Sequence, residues 1–313
     1  MSANSLARRI PSGVADWFTA PVPKVRIAAY RTVIYLFVIA DLLYFTTWIR
    51  GHADVPGELY QPLLVGRLLP LPVPTAGLVH GVYWALLITG LLAATGRFPR
   101  FAGWAVFALY AEWMIIAMSY GKVDHDRVAL LVALAVLPTL GRTRHGDRTL
   151  TEAGGWALRM VQLAVVATYF LAAMAKFRYA GLDWFTGATL TSAVLRRGTT
   201  LSAWLVDTPA LLVVGQFAII GFELASPVVF FLKRRAQYLV IAGFYVFHLV
   251  TYLALEIAFW PQLAAMLCFL PIEKVRPLAR LWSLIRRQPY GTAGPPRQVA
   301  EPTPTAPQPA PEP

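Results

Sequence analysis

Charged residues and cysteine are what this 313-residue chain has least of. Asp, Glu, Lys and Arg make up 14% of it, against roughly 25% in a soluble globular domain, so a water-facing surface around one core is excluded. The single cysteine, Cys268, lies in an apolar run without a partner, which excludes an intrachain disulfide framework and a cysteine-rich metal site. Glycine-rich phosphate loops, a Gly-x-Ser-x-Gly elbow and paired-cysteine motifs are also missing, and the soluble-enzyme classes built on them gain no support.

What is there is apolar: 57% of residues are hydrophobic and 13% aromatic. Runs of about 17–25 apolar residues match a hydrocarbon core about 30 Å thick. The expected fold is an all-α polytopic membrane helix bundle of about eight spans, with seven as the alternative. The candidate spans are 27–48, 78–94, 101–119, 128–140, 156–175, 211–232, 238–255 and 257–270, of which the fourth and last are short. The stretch 238–270 is too long for one crossing, and Trp260-Pro261 offers a break.

The net charge of +12 is read against that background. Eight crossings place 18 of the 28 Lys and Arg on one side and 8 on the other, with Arg31 and Arg159 inside helices. Basic loops mark the cytoplasmic side. The expectation is therefore a multi-pass protein of the cell (plasma) membrane with both termini cytoplasmic, the bilayer as its partner and no nucleic acid. Residues 1–26 form a cytoplasmic lead, 27–271 the transmembrane domain and 272–290 a basic cytoplasmic segment. Residues 291–313, rich in Pro, Ala, Thr and Glu, cannot bury enough surface to fold and read as a disordered tail.

Polar residues among the spans narrow the search, since each costs roughly 2.5–3.5 kcal/mol at mid-membrane by insertion scales. They are Asp41, Glu112, Arg159, Glu223, His248 and Glu256. Asp41 and Arg159 read as interfacial, and Glu112 beside Trp113 as part of an aromatic belt. His248 and Glu256, eight residues apart, fall within roughly 80° of one helix face and could line one cavity. Two clusters lie at span ends. The first is Ser119–Arg127, with Lys122, Asp124, His125, Asp126 and Arg127. The second is Lys176 to Gly187, with Lys176, Arg178, Asp183 and Trp184, which turns at Gly181 and returns as an outward-facing amphipathic interfacial helix running on to Leu195. Asp124, His125 and Asp126 are metal-capable, but neighbouring loop residues rarely close a site, and His145 and Asp147 fall on the opposite face. No metal is expected.

The second cluster carries a resemblance. The run Tyr169-Phe170-Leu171-Ala172-Ala173-Met174-Ala175-Lys176, then Asp183-Trp184-Phe185-Thr186-Gly187, resembles a segment of the vitamin K-dependent γ-glutamyl carboxylase and its bacterial relatives, the HTTM (horizontally transferred transmembrane domain) proteins. Phe247-His248 through Pro271 is similar to a later part of that family. The resemblance implies a quinol-dependent carboxylase or epoxidase-type enzyme. Its cofactors would be a reduced quinone (menaquinol or vitamin K hydroquinone) with O2 and CO2, and its acceptor is unknown.

By the same resemblance Lys122 is the base that deprotonates the quinol, with His125 or His248 as proton-transfer partner. Lys176, Arg178, Asp183, Trp184, Glu223 and Glu256 would line the substrate side. A lysine base must be neutral, and lowering its pKa by about 3 units from about 10.4 requires burial. Here Asp124 and Asp126 stand where the family has neutral residues, and they favour the ammonium. The large extramembrane domain of the animal enzymes has no counterpart after Pro271. A transport or peptide export and maturation role, with Glu223, His248 and Glu256 as a polar pathway, is the alternative.

Overall fold

The computed structural model describes residues 12–275. The expected tail 291–313, most of the basic segment 272–290 and the first residues of the lead lie outside the described residues. In chain order the helices are α1 Ser12–Phe18, α2 Lys24–Ala40, α3 Leu64–Leu68, α4 Ala76–Ala94, α5 Phe101–Met118, α6 Val128–Val136 and α7 Glu152–Ala180. They continue as α8 Asp183–Thr186, α9 Thr189–Arg197, α10 Pro209–Ala225, α11 Arg234–Leu255 and α12 Trp260–Met266. Apart from the two-residue strands β1 Val22–Pro23 and β2 Leu150–Thr151, the described residues are helices and loops.

Six helical stretches are long and apolar enough to cross a membrane: Lys24–Phe45, Ala76–Ala94, Phe101–Met118, Glu152–Ala180, Pro209–Phe231 and Arg234–Leu255. Their outward faces stay apolar, as Val214 and Phe217 on α10 and Leu239, Val246 and Val250 on α11 illustrate. This is the all-α membrane bundle expected from composition.

The two short spans have a different construction. Helix α6 continues as the 3-10 turn Leu137–Leu140, and α12 as Leu267–Phe269. At about 1.5 Å per α residue and about 2.0 Å per 3-10 residue, each is on the order of 20 Å long. Both nevertheless run the length of α2. Arg127, before α6, meets Asp41 at one end of α2, while Asp147, beyond α6, meets Lys24 at the other. Trp260 at the start of α12 stacks near Phe45, and Glu273 after it binds Arg26. Among the described residues, these two short stretches thus lie alongside α2 in addition to the six long helices.

Short helices inside a bundle leave open carbonyls that no lipid can satisfy. Side chains of the longer helices meet them. Tyr245 donates to Leu263 O at 3.0 Å, Tyr30 to Ala265 O at 2.9 Å and Gln162 to Cys268 O at 3.1 Å. Arg31, almost wholly buried, donates to Leu137 O at 3.1 Å beyond the end of α6, where a cation also suits the helix dipole.

At the opposite end from Asp41, β1 pairs antiparallel with β2 and ties the starts of α2 and α7 together. Gly155 makes this possible: a Cβ there would sit 2.0 Å from Ala20 O. The break between α11 and α12 falls earlier than Trp260-Pro261. Glu256, at φ 54°, ends α11, and Pro261 sits in the first turn of α12, where its missing N–H is harmless.

Candidate functional site

The loop Ser119–Arg127, the last turn of the first span and the start of α12 meet at one end of the bundle. The first span does not end as a plain α-helix: Asp41–Phe45 forms a π-helical turn. Such turns recur at functional sites because the widened backbone re-aims side chains. Here the turn sends Asp41 into the bundle, fully buried, and leaves Tyr44 and Phe45 at the surface.

Between these elements lies a cleft of about 280 Å³, lined by Tyr44, Phe45, Trp48, Ala258, Trp260 and Pro261 on one side and Lys122, Asp124, Asp126 and Arg127 on the other. That volume lies just under the usual range of roughly 300–1,000 Å³ for small-molecule sites, so one ring fits it better than a whole lipid.

The charged wall is ordered by pairing. Arg127 Nη1 lies 2.8 Å from Asp41 Oδ2 and donates to Tyr110 Oη at 2.8 Å, while Tyr110 donates to Asp41 Oδ2 at 3.0 Å. Thr46, which donates to the Asp41 carbonyl and accepts from Trp113 Nε1, backs this network. Asp41 is thus buried against Arg127 and Tyr110, and Trp113 is fully buried.

Lys122 stands on the rim with 72% of its side chain exposed and its ammonium 2.8 Å from Asp124 Oδ1. The expectation that it acts as a base required burial, and an exposed, ion-paired ammonium lacks that condition. Asp126 is the contrasting group. It is 9% exposed, lines the cleft and makes no ion pair or side-chain hydrogen bond among the described residues. Burial pushes its carboxyl up to about 6; the Arg127 charge opposes this, and Asp124 and Asp41 add to it.

A second cluster lies beside the cleft. Lys176 Nζ bridges both Glu223 oxygens at 2.7 Å and sits 5.3 Å from the centre of the Trp184 ring. Loss of water around the ring, then the Lys176 charge, push the His125 imidazole below its usual value, and Asp124 partly opposes them. Phe259 stands between the two histidines, 6.5 Å from His125 and 4.7 Å from His248. His248 is buried and holds Tyr169 Oη at 2.5 Å.

The remaining sequence candidates separate. Glu256 is exposed beyond the end of α11, whereas His248 is buried within that helix. Arg178 and Asp183 are exposed, the former over the Tyr179 ring. Arg159 lies over Trp17 at 3.9 Å and donates to Gln162. The return after Gly181 is two helices, α8 and α9. The gap between them is fastened by the buried Gln216, which donates to the carbonyls of Trp184, Phe185 and Gly187 and accepts from Leu190 N. Among the described residues, no group of three or more His, Cys, Asp or Glu gathers that could hold a metal ion.

Sequence reasoning placed Asp126 as an opponent of Lys122 and as a metal-capable group, and missed the pairing of Asp41 with Arg127. A signal existed: an acid inside one apolar run and an arginine bounding another, each needing a partner at membrane depth. Tyr110, Tyr169 and Gln216 carried no such signal in an aromatic-rich, apolar background. No protein-family model, no curated protein and no solved structure matches the chain.

Proposed function

We propose that this chain is an integral membrane protein resembling the HTTM relatives of the vitamin K-dependent carboxylase, and that it takes a lipid-soluble reduced quinone into the cleft beside Trp260. The observation that carries the reading is the cleft itself: aromatic side chains on one wall and titratable groups on the other, at the end of membrane-spanning helices. A quinol headgroup is a flat ring with acidic hydroxyls, and such a cleft offers each part its complement. Quinol oxygenation or carboxylation of an acceptor, with O2 and CO2, is the reaction class the resemblance brings. The excess of Lys and Arg in the loops at the Lys24 end supports a cytoplasmic position for that end in the cell membrane and an outward-facing cleft.

The test is tryptophan fluorescence of the protein in lipid nanodiscs, titrated with menaquinol or vitamin K hydroquinone. Saturable quenching that shrinks when Trp48 and Trp260 are changed to Phe supports the reading. Quenching unaffected by either change counts against the cleft. A second reading, transport along a polar file, draws on the Lys176–Glu223 pair and the buried His248. Flux in sealed vesicles that disappears in Glu223→Gln would favour it.

A further inference from the structure

Asp124 and Asp126 line the cleft, Asp41 is buried behind Arg127, and the three differ in partnership. Asp41 is taken by Arg127 and Tyr110, and Asp124 by Lys122, with Arg127 Nε also 4.0 Å away. Asp126 alone of the three has neither an ion pair nor a side-chain hydrogen bond among the described residues, although it is nearly buried. A nearly buried carboxyl that lines a cleft without an ion pair or a side-chain partner is a candidate for meeting a ligand. The opposite wall states what the ligand looks like. Tyr44, Phe45, Trp48 and Trp260 suit a planar ring, and the volume holds about one.

We propose that Asp126 is the proton acceptor for an acidic ring hydroxyl held in this cleft, with the anchored Arg127 guanidinium stabilising the oxyanion that forms. The assignment rests on the cleft being the substrate site and gives the base position to Asp126 in place of Lys122. In the step, the hydroxyl O–H bond breaks and its electron pair stays on the ring oxygen. The proton bonds to an Asp126 carboxylate oxygen, so one negative charge moves from Asp126 to the ring and nothing is oxidised.

The surroundings suit that exchange. Arg127 is held in place by Asp41 and Tyr110 and need not reorganise when charge moves toward it. A carboxyl raised to about 6 is a stronger base than an ordinary aspartate, about two pKa units closer to a phenol near 10. The charged groups around Asp126 are Lys122, Asp124 and Arg127 on its own loop and Asp41 from the first span; among the cleft residues, those from the α12 side, Ala258, Trp260 and Pro261, carry no charge.

The experiment uses the full chain in lipid nanodiscs with para-nitrophenol, a ring hydroxyl acidic enough for both sides of the transfer to be populated. Binding is read by quenching of Trp48 and Trp260, and the proton by infrared difference spectra. Above a midpoint near 6, where Asp126 is ionised, probe binding is expected to produce a protonated-carboxyl band. That band is expected to vanish in Asp126→Asn and to persist in Asp124→Asn and Lys122→Ala. Quenching without the band in the unaltered protein, or a band that survives in Asp126→Asn, overturns the assignment and leaves the cleft as a binding site. Absence of quenching at every pH removes the cleft reading and this assignment together. Should Asp126→Asn not fold, Asp126→Glu serves: its longer carboxyl is expected to retain the band with a moved midpoint, and an unchanged band and midpoint would refute the role.

Discussion

Replacing Asp41 with Ala is expected to destabilise the bundle by about 3–5 kcal/mol, the range for removing one partner of a buried ion pair. The structure explains why the upper range applies. Asp41 is fully buried, and the Arg127 side chain is only 8% exposed. Losing the carboxylate leaves a guanidinium with Tyr110 at 2.8 Å and its nearest other carboxylate, Asp124, 4.0 Å away, and Tyr110 itself loses the acceptor 3.0 Å away. The attraction of the pair is not the quantity at stake; the stranded charge is. The assay is reversible chemical unfolding in mixed micelles, followed by tryptophan fluorescence, for Asp41→Ala, Arg127→Met and the double variant. Because replacing both members removes the stranded charge, the double variant should be more stable than the sum of the singles predicts by about 2 kcal/mol or more. Single variants costing under about 1 kcal/mol with additive effects would refute the reasoning, since the pair would then behave as a hydrated one.

Lys122→Ala should change stability by no more than about 0.5 kcal/mol in the same assay, because the lysine side chain itself stands exposed at the rim. Asp126 makes the protein more stable in acid. Its folded pKa, about 6, lies above the ordinary 3.8, so stability should fall as pH rises from about 4 through 6, by up to about 3 kcal/mol, and Asp126→Asn should flatten that slope. The infrared midpoint of Asp126 should move up in Arg127→Met and down in Asp124→Asn, following the sign of the charge removed. Gln216→Leu strands three carbonyls and one N–H, and limited proteolysis should then cut between Asp183 and Arg197 at least ten-fold faster than in the parent.

The bundle was legible because bilayer thickness sets run length, and the six long helices fall where the apolar runs are. The two short passes were visible as short runs, but their viability was not. It depends on Tyr30, Arg31, Gln162 and Tyr245 reaching carbonyls more than 100 residues away in three of these contacts, which no local pattern encodes. The Ser119–Arg127 cluster was legible as a site for the same reason that its roles were not. Sequence adjacency placed Lys122 among the acids, but the turn throws alternate side chains in different directions, and only the fold says which carboxyl loses its water. His248 and Glu256 failed differently: helical spacing put them on one face, and the left-handed residue at 256 ended the helix before the face could continue.

The depth of each charged group then accounts for its chemistry. A lysine on a flexible stem at the mouth of a cleft stays hydrated and finds the nearest carboxylate. An arginine drawn inward by Asp41 cannot lose its charge, so it becomes a fixed element of the wall. The carboxyl between them is nearly buried yet has no ion pair or side-chain hydrogen bond among the described residues, and burial raises its energy as an anion. Protonation relieves that penalty. A ligand that donates a proton is therefore met by the one group whose folded environment favours receiving it, and the same environment makes Asp126 a liability to stability at neutral pH. A residue that weakens the resting fold and is relieved by its ligand's proton is better explained by what enters the cleft than by what holds the helices together.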